Sequence, residues 1–248
     1  MQKIMKPIIA ALFVLLFALQ GCEKSSDASL SVSSGANGSI TRFITYNNFL
    51  YTVDQQNLRS YNISTPVPVL KKITPVGFNI ETIFQFADKL FIGSNNAIFI
   101  YSLANPEQPV LLSQFNYFIP GRDPVVAIDS VAYSTTRNFN GVGGNLNIVN
   151  IKNLNAPLNM GAIPMTSPYG LGIHGNALYV CNGESGISVF NRSNVYTPVL
   201  SQQFTSVNET FYDLIVRGNF LLAYIKSGIV ILDVSIPLQP VFVSKIKN

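Results

Sequence analysis

The 248-residue chain has no tryptophan, one histidine and two cysteines, and charged residues make up only 11% of it. Two cysteines cannot build a disulfide framework. A zinc site takes three or four His, Cys or carboxylate ligands, and His174 with one spare cysteine cannot supply them, so neither a metal nor a cofactor is expected. Sustained 3.6-residue apolar periodicity is missing beyond the N-terminal region, which argues against helices. What is plentiful is apolar and turn-forming: 48% hydrophobic residues, 17 Gly and 14 Pro. So much apolar side chain with so little charge excludes intrinsic disorder.

The net charge of +4 comes from 16 basic and 12 acidic side chains, and part of it lies in a leader. Lys3 and Lys6 precede thirteen uncharged residues, Pro7 to Leu19, too short a run for the roughly 20 residues of a spanning helix. A basic start followed by a short apolar core is the layout of an export signal. Gln20-Gly21-Cys22 after it resembles the bacterial lipobox, in which the cysteine is acylated and becomes the first residue. Gln20 departs from the small or branched residue usual there. We therefore expect residues 1–21 to be a lipoprotein signal peptide and Cys22 to be the lipidation site and the contact with the lipid bilayer. Residues 23–38, with six serines in sixteen positions, complete a Ser-rich tether over 22–38. Without Lys3 and Lys6 the balance is 14 − 12 = +2, which gives no support to nucleic acid as a partner. The expected location is the bacterial cell envelope, on the outer membrane.

From residue 39 onward the chain repeats itself. Five segments share an apolar run, a turn with proline, and a proline followed mostly by Val-Leu or a similar pair. Their anchoring prolines are Pro68, Pro109, Pro157, Pro198 and Pro240, spaced 41, 48, 41 and 42 residues apart. The long interval is assigned to a polar, Gly-rich insertion, Thr135 to Asn145. Each unit contains four strand candidates bounded by Gly, Asn, Asp and Ser. In the fourth these are Gly170–His174, Ala177–Cys181, Gly186–Phe190 and Pro198–Phe204. In the fifth they are Tyr212–Val216, Phe220–Ile225, Gly228–Val234 and Pro240–Ile246. Four strands in about 40 residues, repeated, is the arithmetic of a propeller blade. The predicted fold is all-β: a five-bladed β-propeller of four-stranded antiparallel blades over 39–248, with blades at about 39–77, 78–118, 122–166, 167–206 and 208–248. The last unit ends without a polar cap, which favours a closed ring over an open solenoid.

The fifth unit, Gly228-Ile-Val-Ile-Leu-Asp-Val-Ser-Ile-Pro-Leu-Gln-Pro240, resembles the LVIVD repeat of secreted bacterial propellers. That repeat is a Gly-apolar strand followed by Asp-apolar-Ser-x-Pro-x-x-Pro. The second unit keeps Ala104-Asn-Pro-Glu-Gln-Pro109 with Ser102 at the Asp position, and the other three place Asn62, Asn150 and Asn191 there. The resemblance implies a propeller on an envelope protein and no defined activity.

Chemistry-bearing motifs are sparse. Gly170-Leu-Gly-Ile-His-Gly175 matches the dinucleotide-binding glycine pattern, but a strand follows it where that site needs a helix N-terminus. Cys181 reads as a small buried apolar residue, and His174 as a turn residue. No Gly-x-Ser-x-Gly elbow is present. Asp129-Ser130-Val131 resembles a short O-glycosylation acceptor motif. Loops joining blades share a face with those joining second and third strands, and aromatic, Arg and Asn residues collect there. Tyr117, Arg122, Arg137, Phe139 and Tyr169 form the expected ligand-facing set, residue types suited to recognition on a rigid scaffold. The leading reading is a non-catalytic surface module that binds a protein or glycan. One alternative is a propeller hydrolase or lyase on envelope sugars or lactones, acting through paired channel carboxylates. Another is a structural spacer.

Overall fold

The computed structural model describes residues 40–116, 124–138 and 143–248. Every regular element among them is a strand, so no described helix is long and apolar enough to cross a membrane. The first blade comprises β1 (Phe43–Tyr46), β2 (Phe49–Val53), β3 (Asn57–Asn62) and β4 (Val69–Pro75). The second comprises β5 (Ile80–Phe86), β6 (Lys89–Ser94), β7 (Ala97–Ser102) and β8 (Val110–Asn116). The third is β9 (Val125–Ile128), β10 (Val131–Arg137), β11 (Gly144–Asn150) and β12 (Leu158–Met165). The fourth is β13 (Leu171–His174), β14 (Ala177–Cys181), β15 (Ile187–Asn191) and β16 (Val199–Phe204). The fifth is β17 (Phe211–Arg217), β18 (Phe220–Ile225), β19 (Gly228–Asp233) and β20 (Val241–Lys247). Each set of four is one antiparallel meander paired in chain order, so the fold is the five-bladed β-propeller that the repeat predicts. The strands expected in the fourth and fifth units fall within one residue of those observed.

Local chemistry repeats with the fold. Each first hairpin turns on one residue with positive φ: Asn47 (51°), Ala87 (49°), Asp129 (53°), Gly175 (55°) and Gly218 (57°). A two-residue turn of this hand matches the strand twist, and Gly, Asn and Asp reach it at least cost. Asp129-Ser130 is thus a hairpin turn, and Tyr196 donates its hydroxyl to Ser130 Oγ at 2.9 Å. The third and fourth strands of every blade share a register shift at the same step. It falls at Ser60/Tyr61, Ile100/Tyr101, Ile148/Val149, Val189/Phe190 and Ile231/Leu232. A bulge on the outer pair of every blade bends each outer edge alike.

The variable Asp position of the repeat performs one task throughout. Asp233 Oδ1 accepts the Ser235 N–H at 2.7 Å. Asn62 and Asn191 each accept the N–H two residues on at 2.9 Å, and so does Asn150. Ser102 Oγ does the same at 3.2 Å. Any short side chain with an oxygen acceptor closes this turn, which is why Asn and Ser replace Asp. All five anchoring prolines stand immediately before the outermost strand, an edge where a missing N–H breaks no ladder.

The expected insertion is smaller than its sequence suggests. Thr135 to Arg137 extend β10 and Gly144-Asn145 extend β11, so these strands reach seven residues each. Thr135 and Thr136 are buried. Their hydroxyls are satisfied there: Thr135 Oγ1 donates to Tyr169 O at 2.5 Å and Asn147 donates to Thr136 Oγ1 at 3.2 Å. Polar composition disguises strand as loop.

Blades pack face to face through apolar side chains, each worth about 1.5–3 kcal/mol when fully buried. One core joins the first and second blades, a second joins the second, third and fourth, and a third joins the fourth and fifth. Tyrosine hydroxyls latch neighbouring blades. Tyr51 donates to Pro106 O at 2.7 Å, Tyr133 to Val195 O at 2.5 Å, and Tyr179 to Pro237 O at 2.6 Å. Burial pushes all three phenols above their ordinary pKa, so they remain donors.

Closure is where the structure departs from expectation. β1 packs on β5, β5 on β9, β9 on β13, and β13 on β17, but β17 and β1 have no comparable packing. No core among the described residues joins the fifth blade to the first. Phe43 is 63% exposed on one side of this seam and Tyr224 is 52% exposed on the other. The fifth blade also lacks the latch, having Leu222 where Tyr179 stands in the fourth.

Candidate functional site

A cavity of about 230 Å³ opens where the innermost strands begin, and every blade lends it a residue. Ile40 comes from the first blade, Glu81 and Thr82 from the second, Pro124 and Arg137 from the third, Pro168 and Tyr169 from the fourth, and Tyr212 from the fifth. Bulges aim two of these side chains. β5 slips register between Ile80 and Thr82, leaving Glu81 outside the ladder, and β17 slips between Phe211 and Asp213, leaving Tyr212 outside it. A bulge redirects a side chain in this way.

Arg137, at the end of β10, places its guanidinium carbon 3.7 Å from the centre of the Tyr169 ring. Tyr212 meets Tyr169 edge to face, with centroids 5.4 Å apart and planes at 85°. Tyr224 continues the series at 5.7 Å from Tyr212. Tyr169 is fixed by its backbone: its N–H donates to Cys181 O at 2.7 Å, and its carbonyl accepts Thr135 Oγ1. The result is a cation–π and aromatic cluster on a rigid frame.

Two further depressions adjoin blade boundaries. One of about 360 Å³ lies where the fourth and fifth blades meet and is polar, with Ser167, Asn182, Glu184 and Thr210 around Tyr169. Asn182 Oδ1 accepts the Ser167 N–H at 2.8 Å. The other, about 510 Å³, includes Asn95, Asn96, Phe78 and Phe99.

Of the expected ligand-facing residues, Arg137 and Tyr169 are brought together. Tyr117, Arg122 and Phe139 lie outside the described residues, as does Cys22. Sequence reasoning misses Glu81 and Tyr212 as members of this set. A signal is available: Glu81, Tyr169 and Tyr212 each stand six residues before the positive-φ turn residue of their hairpin. Paired channel carboxylates would require two, and Glu81 is the one carboxylate among the described lining residues. Among the described residues no group of three His, Cys, Asp or Glu could hold a metal.

The glycines of Gly170–Gly175 serve packing. A Cβ on Gly170 would lie 1.9 Å from Asp213 Oδ1, and one on Gly172 would lie 2.5 Å from Leu214 Cδ1. Both contacts are with the fifth blade. Cys181 is fully buried, and burial pushes its thiol well above the ordinary range.

No protein-family model and no curated protein matches the sequence. Solved structures resemble the fold. A protein of unknown function from Desulfotomaculum acetoxidans superposes with TM-score 0.64 at 13% identity, covering 86% of this chain and 70% of its own. A protein from Lactobacillus plantarum gives 0.64 at 10% identity, covering 82% and 69%. BamB from Moraxella catarrhalis gives 0.55 at 9% identity, covering 73% and 54%. This chain spans 61% of the designed protein Ika8, which it also resembles.

Proposed function

We propose that this chain is a lipid-anchored recognition propeller of the bacterial envelope, related to the LVIVD-repeat proteins, that holds a protein partner at the mouth of its channel. The observation that carries this reading is the stack of Arg137 on Tyr169, edge-on to Tyr212, beside a cavity shared by all five blades. Tyr and Arg are enriched among the residues that dominate the energetics of protein interfaces, Tyr because it buries large area at small entropic cost and Arg here because its guanidinium is already held on the Tyr169 ring. A volume of about 230 Å³ is below the roughly 300–1,000 Å³ of small-molecule sites. It suits one or two side chains of a partner loop better than a free sugar.

The test is site-specific photocrosslinking in the producing cells. A photoreactive residue at position 212 should give one discrete protein adduct, while the same residue at Val69, on the outer rim, should not. Arg137→Gln should remove the adduct while the protein remains folded at the temperature of the experiment. Equal adducts from both positions, or a glycan adduct at 212, would overturn the protein-binding reading. For the anchor, Cys22→Ser should abolish fatty-acid labelling, and retained labelling would refute it.

A further inference from the structure

The face of the fifth blade that looks toward the open seam is built like an interface. Registers across β17, β18 and β19 align Arg217–Phe220–Asp233 in one row, Ile215–Leu222–Ile231 in the next, and Tyr224–Ile229 beyond. Phe220 is 47% exposed, and Ile215 and Tyr224 are exposed as well. The equivalent face of the fourth blade carries Ala177, Tyr179 and Cys181, all buried beneath the fifth. Among the described residues no other blade packs on this face of the fifth blade, and no core joins it to the first.

We propose that a second copy of this chain occupies that face, the two fifth blades packing about a two-fold axis that runs parallel to β18, between the sheets. The row of opposite charges argues for this occupant. Such a rotation carries β17 of one copy over β19 of the other, so Arg217 meets Asp233 twice while Phe220 meets Phe220 and Leu222 meets Leu222. An isologous interface requires such self-complementarity, and two twisted sheets with apolar inner faces pack aligned in this manner.

Sedimentation equilibrium of the full chain in mild detergent should give twice the chain mass. Arg217→Glu should weaken the dimer by at least about tenfold through like-charge contact with Asp233, and adding Asp233→Lys should restore it. Phe220→Cys should form an intermolecular disulfide under mild oxidation, whereas Phe43→Cys, on the exposed face of the first blade, should not. A monomer at every concentration would overturn the proposal, as would a dimer indifferent to Arg217→Glu. So would equal crosslinking through both cysteines, or association only with a different protein.

Discussion

Cys181 and Tyr224 hold the same place in successive blades, at the fifth position of the second strand, yet one is sealed and the other is 52% exposed. The fourth blade is apolar on both faces because a blade covers each. The fifth has the same alternation, with Leu221, Ala223 and Ile225 buried against the fourth blade and Phe220, Leu222 and Tyr224 on the other side. A repeat thus specifies two sticky faces per unit, and the arrangement of units decides which are satisfied. The aromatic series from Arg137 through Tyr169 and Tyr212 ends at Tyr224, so the shared cavity and the open seam are joined by one cluster.

The largest expected contrast is in stability. Tyr179→Ala should cost about 3–5 kcal/mol, by analogy with other buried aromatic truncations. In dilute solution, where the second copy has dissociated, Leu222→Ala at the matching position should cost less than about 2 kcal/mol, because little cavity forms on a half-open face. Urea denaturation of both variants at that dilution compares them directly, and equal losses would mean the seam is packed within one chain. Removing only the latch, Tyr179→Phe, should cost about 1 kcal/mol by leaving Pro237 O without its donor.

The smallest effect concerns pH. Lys245, together with Ser227, holds the Glu209 carboxyl below its ordinary value within the fifth blade. A depressed folded pKa adds stability above the unfolded value near 4.5, and that stability is lost as pH falls through the folded value. Wild type should therefore lose part of its margin over Glu209→Gln on titration from pH 6 to about 3. A margin that does not shrink would refute the pairing.

Much of this architecture is legible in residues. The prolines at 68, 109, 157, 198 and 240 mark the outer strands, and alternation of Gly, Asn and Asp with β-branched runs marks the hairpins. Thr135 and Thr136 mislead because threonine serves equally in turns and in buried strands, and only the partners Tyr169 O and Asn147 decide. At the site, Arg137 and Tyr169 are visible as exposed-loop residue types. Glu81 and Tyr212 are not, because a bulge selects them and a bulge has no composition of its own. The open seam is equally hidden: FLLAYI and ALYVC read alike, and the difference lies in what stands opposite.

The most direct test of that seam uses the equivalence of positions 181 and 224. Tyr224→Cys is treated in dilute solution with a polar maleimide, and modification of residues 181 and 224 is followed by peptide mass spectrometry. Residue 224 should be labelled rapidly while Cys181 stays unmodified until the protein unfolds. Equal protection of both would contradict it.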